Sequence, residues 1–420
     1  MQRRVVITGL GPISPIGKER ETFWRFLVNG ISGIRVVPEI ANSPLGFKTQ
    51  IGGNIPDFDP LPYLHKKKGR HFSRFTQMAV VAAGLAIADA HLTVTAEDAS
   101  RVGVMMGTGI GGHEAVEEQQ RILQKDGLSK INPFCANATF SHAAAAEISI
   151  YYGLTGVNYS LSTGCSASAN ALGTALDAIR AGKADVILAG GAETPFTEVV
   201  YASFDGTKQL SKKNATLEKA ITPYDLNRDG FLLAEGAGVV VLEELEHALR
   251  RGAYIYGELC GFGSSADAYD SYRMEPTGAG MARAMEAALR DANITPYELD
   301  YICSHGSGSK SADLKETHAI KLALGDRAKA VPVSTIKSVM GMPFGASTAF
   351  QLIAAALMLE KQIVIPTMNL ETPDPECDLD YVPNVAREMI LNYVLLDSMG
   401  LGGNNAALVV KKYKADRRGS

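Results

Sequence analysis

Cys165 is the residue best suited to covalent chemistry, and it lies in a segment of small residues, LSTGCSASAN, that spans residues 161–170. An extended, β-prone run over residues 157–160 precedes this segment, and apolar periodicity from Ala169 to Ala181 predicts a buried helix after it. Bulky side chains would clash where a strand turns sharply into a helix. The small residues therefore predict such an elbow around Cys165.

The predicted elbow places the Cys165 thiol at a helix N-terminus. Unpaired backbone amides and the helix dipole stabilise negative charge there, so we expect the pKa of the thiol to be lowered. A thiolate in this position is a nucleophile, and the same amides can hold the oxyanion that forms when it attacks a thioester. The alternative interpretation is a small buried cysteine that eases helix packing.

A nucleophilic thiol needs a partner that moves protons or stabilises the developing oxyanion. His305 is the strongest candidate, because it follows a predicted buried strand over Leu299–Cys303 and has small residues behind it. The remaining histidines lie on predicted helices or polar loops. Taken alone, His305 is equally explained as a core histidine whose hydrogen bonds are satisfied.

Strands and helices along the chain must bring Cys165 and His305 together. Their alternation starts again after residue 251, which predicts an α/β protein built as a duplicated unit. The halves would be residues 1–251, carrying Cys165, and residues 252–412, carrying His305, followed by a charged tail over residues 413–420. Other predicted elements are strands over Val5–Thr8 and Tyr254–Gly263, helices over Phe75–Ala90 and Glu243–Arg251, and surface excursions over residues 30–62.

The composition, with 46% hydrophobic and 20% charged residues, is that of a well-packed globular protein. A formal net charge of −4 argues against a nucleic-acid partner, which usually requires a basic face. The 5 cysteines form no C-x-x-C pair, so we expect neither a metal site nor a disulfide framework. No signal-peptide pattern or membrane-spanning apolar run is present, which predicts a cytoplasmic protein without a membrane partner.

Gly107, Gly109 and Gly112 match the dinucleotide-binding pattern G-x-G-x-x-G between a predicted strand and a predicted helix. The rest of such a unit is missing, because no second parallel strand ending in Asp or Glu follows at the expected distance. A turn that packs tightly explains these glycines better. A nicotinamide oxidoreductase would depend on this pattern alone.

Four motifs occur together in a fixed order along the chain. They are LSTGCSASAN around Cys165, SHGSGS around His305 with Asp313 and Glu316 downstream, STIKS around Lys337, and GLGGNN near the C-terminus. From VVITGLG at the start to NNAALVV at the end, the chain resembles the elongating β-ketoacyl-[acyl-carrier-protein] synthases and the related type II polyketide ketosynthases. The resemblance implies a thiolase-like five-layered αβαβα fold of two similar halves.

The resemblance also implies a two-step decarboxylating Claisen condensation. Cys165 would accept an acyl chain from the phosphopantetheine arm of a carrier protein, and His305 would stabilise the enolate formed from malonyl-carrier protein. Lys337, with Glu316, would fix the electrostatics and position of His305; a surface salt bridge is the alternative for that pair. The backbone amides of Cys165 and Leu401 would form the oxyanion hole.

The same resemblance assigns residues that bind the substrate. Ser307 and Ser309 stand where the family binds the pantetheine arm, and Ile110 and Phe134 correspond to acyl-pocket positions at a dimer interface. Gly164 and Asn404 complete this set.

The resemblance implies no bound cofactor, because the substrates arrive on the phosphopantetheine of the acyl carrier protein. The implied partners are that carrier protein and a second subunit, in a homodimer or a ketosynthase heterodimer. The basic run Lys66-Lys67-Lys68-Gly69-Arg70 is by default a solvated surface. Because carrier proteins are acidic, it is alternatively a docking site for them.

Three residues depart from the family pattern. Met342 stands where the family has a second catalytic histidine, and methionine cannot donate a hydrogen bond. Loss of one such donor typically costs about 10²–10³ in rate. Leu401 replaces a phenylalanine and Gly164 an alanine, and both changes remove bulk, which predicts an altered or roomier acyl channel.

Three interpretations follow from these departures. The favoured one is a specialised ketosynthase that condenses an unusual acyl or polyene-type chain. The second is a non-condensing partner subunit that resembles a chain-length factor, although retention of Cys165, His305 and Lys337 weighs against it. The third is a variant inactivated by the change at Met342.

Overall fold

The computed structural model describes residues 2–64, 69 and 71–414. Its strands are β1 (Val5–Ile13), β2 (Arg35–Val36), β3 (Ile51–Gly52), β4 (Val102–Gly107), β5 (Asn158–Leu161), β6 (Val186–Glu193), β7 (Gly236–Glu244), β8 (Gly257–Ala266), β9 (Tyr301–Cys303), β10 (Val333–Ser334), β11 (Ile363–Val364), β12 (Arg387–Glu388), β13 (Tyr393–Gly400) and β14 (Asn404–Lys411). Its α-helices are α1 (Arg20–Val28), α2 (Pro38–Ala41), α3 (Arg74–Asp89), α4 (His113–Asp126), α5 (Cys135–Thr139), α6 (Ala143–Tyr152), α7 (Ala167–Arg180), α8 (Glu198–Gly206), α9 (Leu245–Arg250), α10 (Ala279–Asp291), α11 (Lys310–Leu324), α12 (Lys337–Met340) and α13 (Ser347–Lys361). Within this described part, no helix is both long and apolar enough to cross a membrane.

Ten strands form one continuous sheet that contains the same five-stranded arrangement twice. The first set lies in the order β1-β7-β6-β4-β5, and the second lies in the equivalent order β8-β14-β13-β9-β10. Parallel and antiparallel pairings also correspond: β4 is parallel to β5 and β6, as β9 is to β10 and β13. The two sets meet where β1 pairs antiparallel with β8, with Val5 opposite Leu259. The sheet thus has the duplicated organisation expected of the thiolase-like fold.

Three hydrophobic clusters fill the space between helices and sheet. The central cluster joins both sets of strands to α7 and α13. One outer cluster packs α3 and α6 against the first set, and the other packs α10 and α11 against the second. Helices therefore alternate with strands in five layers. The predicted division between residues 251 and 252 lies in the connection between α9 and β8.

Several predicted element boundaries are wrong, and β1 shows why. The strand was predicted to end at Thr8, before Gly9 and Gly11, but it continues to Ile13. A Cβ on Gly9 would lie 2.2 Å from the Ala86 carbonyl oxygen, and one on Gly11 would lie 2.0 Å from that of Ala82. These glycines allow helix α3 to approach the strand and do not end it.

Long-range pairing also moved other boundaries. Glu243 and Glu244 extend β7, so the helix predicted from Glu243 begins at Leu245. Strand β8 covers Gly257–Ala266, later than the predicted Tyr254–Gly263. The predicted surface excursions over residues 30–62 contain buried residues, among them Val37, Ile40 and Ile51.

Candidate active site

Cys165 lies in the predicted elbow. A short 3₁₀ turn over Gly164–Ser166 connects the end of β5 to the first residue of α7. Gly164 has a φ of +62°, a left-handed conformation that favours glycine over other residues. The Cys165 carbonyl oxygen accepts a hydrogen bond from Ser398 Oγ at 2.9 Å, and this bond ties the elbow to β13 in the other half.

The prediction that the pKa of the Cys165 thiol is lowered is wrong. Burial raises it to about 12, because only 5% of the residue is exposed and the charged form would be desolvated. The Lys337 charge and the backbone amides of Leu401 and Cys165 act in the opposite direction but do not outweigh burial. The Cys165 side chain is therefore a neutral thiol at neutral pH.

The turn after β13 brings the Leu401 backbone close to Cys165. A Cβ on Gly400 would lie 3.0 Å from the Thr163 carbonyl oxygen and 3.4 Å from the Cys165 nitrogen, so glycine permits this close approach. The backbone amides of Leu401 and Cys165 both stabilise the charged form of the Cys165 thiol and so act to lower its pKa. They are the two amides predicted to form the oxyanion hole, and the structure places them together.

His305 follows β9 and is fixed through its backbone and its ring. Its amide donates to Glu316 Oε1 and to Asp397 Oδ1, each at 2.6 Å. The Met399 amide donates to the ring Nδ1 at 3.4 Å, which makes Nδ1 the acceptor and leaves the proton on Nε2. Burial, and then the Lys337 charge, hold the pKa of His305 well below its usual value. The ring is thus neutral, and Nε2–H is available as a donor.

Lys337 begins helix α12 directly behind His305. Its Nζ donates a hydrogen bond to the His305 carbonyl oxygen. Burial lowers the pKa of Lys337, while the Glu316 and Asp397 charges oppose that change. Lys337 is 1% and Glu316 is 0% exposed. The alternative of a surface salt bridge for this pair is therefore wrong.

One cavity of about 450 Å³ reaches both halves of the molecule. Cys165 and His305 both line it, together with Ser307, Ser309, Met342 and Leu401. Met342 is buried, and its amide and carbonyl are held by Leu232 and Ala234 at 2.8 and 3.1 Å. Aromatic side chains pack with Cys165, and exposed side chains line the mouth. The remaining lining residues are Phe204, Gln209, Phe231, Tyr269, Tyr272, Arg273, Met274, Pro276, Ser311, Ala312, Lys315, Phe344 and Met399.

Some predicted site residues lie outside this cavity. Ile110 packs in the same hydrophobic cluster as Cys165 and Met342 but does not line the cavity. Phe134 is 48% exposed and contacts His71. Asn404 is exposed, whereas its neighbour Asn405 is buried and donates to Asp267 at 2.7 Å.

Two segments predicted to be charged surface, the basic run and the C-terminal tail, lie partly outside the described residues. In the basic run only Gly69 lies within the described residues. The predicted tail is described only as far as Lys414.

The glycines of the G-x-G-x-x-G pattern allow close packing around Glu193. This buried acid was not identified from the sequence. Glu193 accepts hydrogen bonds from the amides of Gly109, Ile110 and Gly345 at 2.6, 3.1 and 2.9 Å. Burial raises its pKa to about 7. A Cβ on Gly109 would lie 2.9 Å from the Glu193 carboxyl, and one on Gly107 would lie 2.4 Å from helix α7 backbone.

Asp397, which contacts the His305 amide, was also missed. Both missed acids share one signal, because each is the single charged residue of a buried and largely apolar strand, in VILAGGAE and YVLLDSMG. A charged residue in such a position needs a partner inside the protein.

Two family models match the chain. The beta-ketoacyl synthase N-terminal domain matches residues 2–248, and the beta-ketoacyl synthase C-terminal domain matches residues 256–371. The chain is 40% identical to 3-oxoacyl-[acyl-carrier-protein] synthase 2 of Staphylococcus aureus (strain COL), over 98% of this chain and 99% of that protein.

Solved structures agree with these matches. A structure of a type II polyketide synthase acyl-carrier protein in complex with its ketosynthase, bound to the hexaketide, has a TM-score of 0.91. Its matched chain is 35% identical, over 99% of this chain and 100% of that one. The ishigamide ketosynthase/chain length factor has a TM-score of 0.90 and 32% identity with the same coverage. The chain therefore belongs to the beta-ketoacyl synthase family of acyl-transferring condensing enzymes.

Proposed function

We propose that this protein transfers an acyl chain from a carrier protein to Cys165 and condenses it with malonyl-carrier protein, with loss of CO₂. The observation that carries this proposal is the shared cavity, which is lined both by a thiol with two backbone amides beside it and by a neutral imidazole from the other half. Each of the two steps makes a different demand on these groups.

The first step is a thioester exchange at Cys165. The sulfur attacks the acyl carbonyl, and the amides of Cys165 and Leu401 hold the oxyanion of the tetrahedral intermediate. When this collapses, the bond to the carrier thiol breaks and the acyl–Cys165 bond remains. The proton lost by the Cys165 thiol ends on the departing carrier thiol, so the exchange is balanced without a further acid or base.

The second step needs a donor to the malonyl thioester. In the proposed mechanism, His305 Nε2–H donates to the thioester oxygen while the bond to CO₂ breaks, which stabilises the enolate. The enolate carbon then attacks the acyl–Cys165 carbonyl, the bond to the Cys165 sulfur breaks, and the thiolate takes one proton from solvent. Met342 also lines the cavity but has no donor, so His305 acts without a second side-chain donor at that position.

A two-stage assay tests this function. The protein is incubated with an acyl-carrier protein, malonyl-carrier protein is added, and the 3-oxo product is identified by mass spectrometry. We expect product from the wild-type protein and none from the Cys165→Ala variant. Loading without product would mean that condensation is lost. If the wild-type protein shows no loading and forms no product, the proposal is refuted.

The second candidate function is that of a non-condensing partner subunit. The absence of a donor on Met342 favours it, and one structural neighbour is a ketosynthase/chain length factor. In that case the purified protein alone would form no acyl–Cys165, but it would restore product formation when mixed with a catalytic ketosynthase. The two-stage assay, run with and without such a mate, separates the two functions.

We propose that a second ketosynthase subunit, identical or related, covers the β5 edge of the sheet. Strand β5 ends the strand order, and its Tyr159 is 52% exposed. Ile150, Phe134 and Phe140 on the adjoining α6 and α5 segments are also exposed. Such a dimer would move Phe134 from solvent into an interface, consistent with its proposed acyl-pocket role. Tyr159→Lys should lower the dimer fraction in analytical ultracentrifugation, whereas the equally exposed Tyr254→Lys should not.

We also propose an acyl carrier protein as the substrate-bearing partner. The cavity mouth carries Arg273, an exposed cation beside the exposed Tyr269 and Tyr272. A cation there complements an acidic carrier and the phosphate of its arm. Arg273→Glu should raise KM for the carrier-bound thioester more than for a thioester of free pantetheine. An equal change in both would contradict this docking site.

A further inference from the structure

Two carboxyl groups meet at one peptide amide behind the reacting imidazole. Glu316 Oε1 and Asp397 Oδ1 each lie 2.6 Å from the His305 nitrogen. Both acids are completely buried, at 0% exposure. They come from different elements, Glu316 from α11 and Asp397 from β13, so the fold itself brings them together.

The hydrogen-bond partners of these two acids are unequal. Glu316 Oε2 accepts from the Gly306 amide at 2.9 Å and from the Tyr224 hydroxyl at 2.8 Å. Asp397 Oδ2 has no donor among the described residues, although it is buried. The nearby Gln351 side-chain amide donates to the Asp397 backbone carbonyl and not to its carboxylate. A buried carboxylate oxygen without a donor is costly.

The charges in this cluster do not balance if both acids are ionised. Lys337 supplies one positive charge against two carboxylates, which would leave a net negative charge in a fully buried region. One proton held between the two acids makes the cluster neutral. The same proton neutralises a carboxylate pair of which one oxygen, Asp397 Oδ2, has no donor among the described residues.

We propose that Asp397 is a positioning residue, which shares one proton with Glu316 and so holds the His305 peptide unit behind the reacting groups. The proposed function enters only through the role of His305 as the reacting imidazole. Hydrogen bonds then hold His305 at both backbone groups: its amide donates to the acid pair, and its carbonyl oxygen accepts from Lys337.

Burial raises the pKa of both acids, as a shared proton requires. Burial and then the Asp397 charge raise the pKa of Glu316 well above its usual value, and burial raises that of Asp397 to about 6. Because the groups are so close, the titration belongs to the pair. The other ionisable groups that face the pair from neighbouring elements are Lys337, His305, Tyr224, Cys303, Asp313 and Tyr381.

Loss of the shared proton would change the reaction. A second carboxylate would place uncompensated negative charge next to His305, where the enolate gains its own negative charge. We therefore expect the turnover number for condensation to fall about tenfold per pH unit once the pair loses its proton. This fall at high pH is the alkaline limb of the pH profile, and it depends on the acid pair. Substitution of either acid by its amide should abolish it, because the proton that titrates is then absent.

Infrared difference spectroscopy on the folded protein detects the proton directly. We expect the carbonyl stretch of neutral carboxylic acid in the wild-type protein, and a fall in its intensity by the share of one acid in both Asp397→Asn and Glu316→Gln, while the share of Glu193 remains. Glu243→Gln is the matched control, because Glu243 is equally buried but ion-paired with Arg251 at 2.7 Å. That variant should retain the band. An undiminished band in either Asp397→Asn or Glu316→Gln would refute the shared proton.

The pH profile of condensation tests the positioning role. Asp397→Asn should lose the alkaline limb of the turnover number, with KM for the carrier-bound thioester unchanged. An unaltered limb would refute a role for the pair in the reaction. If the wild-type protein forms no 3-oxo product at all, the proposed function fails while the infrared result stands independently.

Discussion

Substitution of Met342 by histidine tests how much the missing donor costs. Met342 lines the cavity with Cys165 and His305, and its backbone is held by hydrogen bonds on both sides. A side chain at this position therefore projects into the same cavity whatever its type. Burial that lowers the pKa of His305 would act on a new imidazole as well, so Met342→His should present a neutral ring with an N–H donor.

The expected gain follows from the value of one donor at an oxyanion or enolate. One such hydrogen bond contributes about 10²–10³ in rate, or about 3–4 kcal/mol. We expect Met342→His to raise the rate of malonyl decarboxylation by about that factor. Acyl transfer to Cys165 should change little, because it depends on backbone amides. Met342→Leu is the matched control, since it keeps the volume without adding a donor.

The assay follows CO₂ release from malonyl-carrier protein and, separately, acyl loading of Cys165 under single-turnover conditions. Equal decarboxylation rates in Met342→His and Met342→Leu, with loading intact in both, would refute the reasoning. The catalytic site would then work without a donor at that position.

Three further predictions concern the thiol, the buried cation and the glycine turn. Because burial raises the pKa of Cys165 to about 12, its alkylation by iodoacetamide should accelerate about tenfold per pH unit through neutral pH; a plateau near neutrality would contradict the raised value. Lys337→Met removes the positive charge beside the buried carboxyl groups, so the free energy of unfolding should fall by about 3–5 kcal/mol. Chemical denaturation measures this change, and an unchanged midpoint would contradict it. Gly112→Ala should cost about 1–3 kcal/mol, because its Cβ would lie 2.1 Å from the Ala138 carbonyl oxygen; Gly206→Ala, with open space around the Cβ, is the control and should not destabilise.

Local sequence patterns predicted the elements that are governed by local rules. The small residues around Cys165 predicted the elbow, and the apolar periodicity after it predicted helix α7. The restart of the strand and helix alternation predicted a duplicated sheet. Predicted element boundaries were wrong where contacts with distant residues determine them. Gly9 and Gly11 suggested a turn, but they lie within β1 and allow helix α3 to approach it closely.

The chemistry of the site depended more on tertiary structure. A helix N-terminus suggested a lowered thiol pKa, but the depth of burial of Cys165 is set by the whole fold and outweighs the local field. Glu193 and Asp397 were not identified, because a single acid in an apolar strand does not reveal which amide it will meet. The family motifs located His305 and Lys337, which lie on separate elements and touch only in the folded chain.

The destination of the acyl group tests the account most directly. After incubation with an acyl-carrier protein, the protein is digested and the acylated peptide is identified by mass spectrometry. We expect the acyl group on the buried Cys165 and not on Cys135, the most exposed of the cysteines. Acylation of Cys135 instead, or loading that persists in Cys165→Ala, would contradict the assignment of Cys165 as the nucleophile.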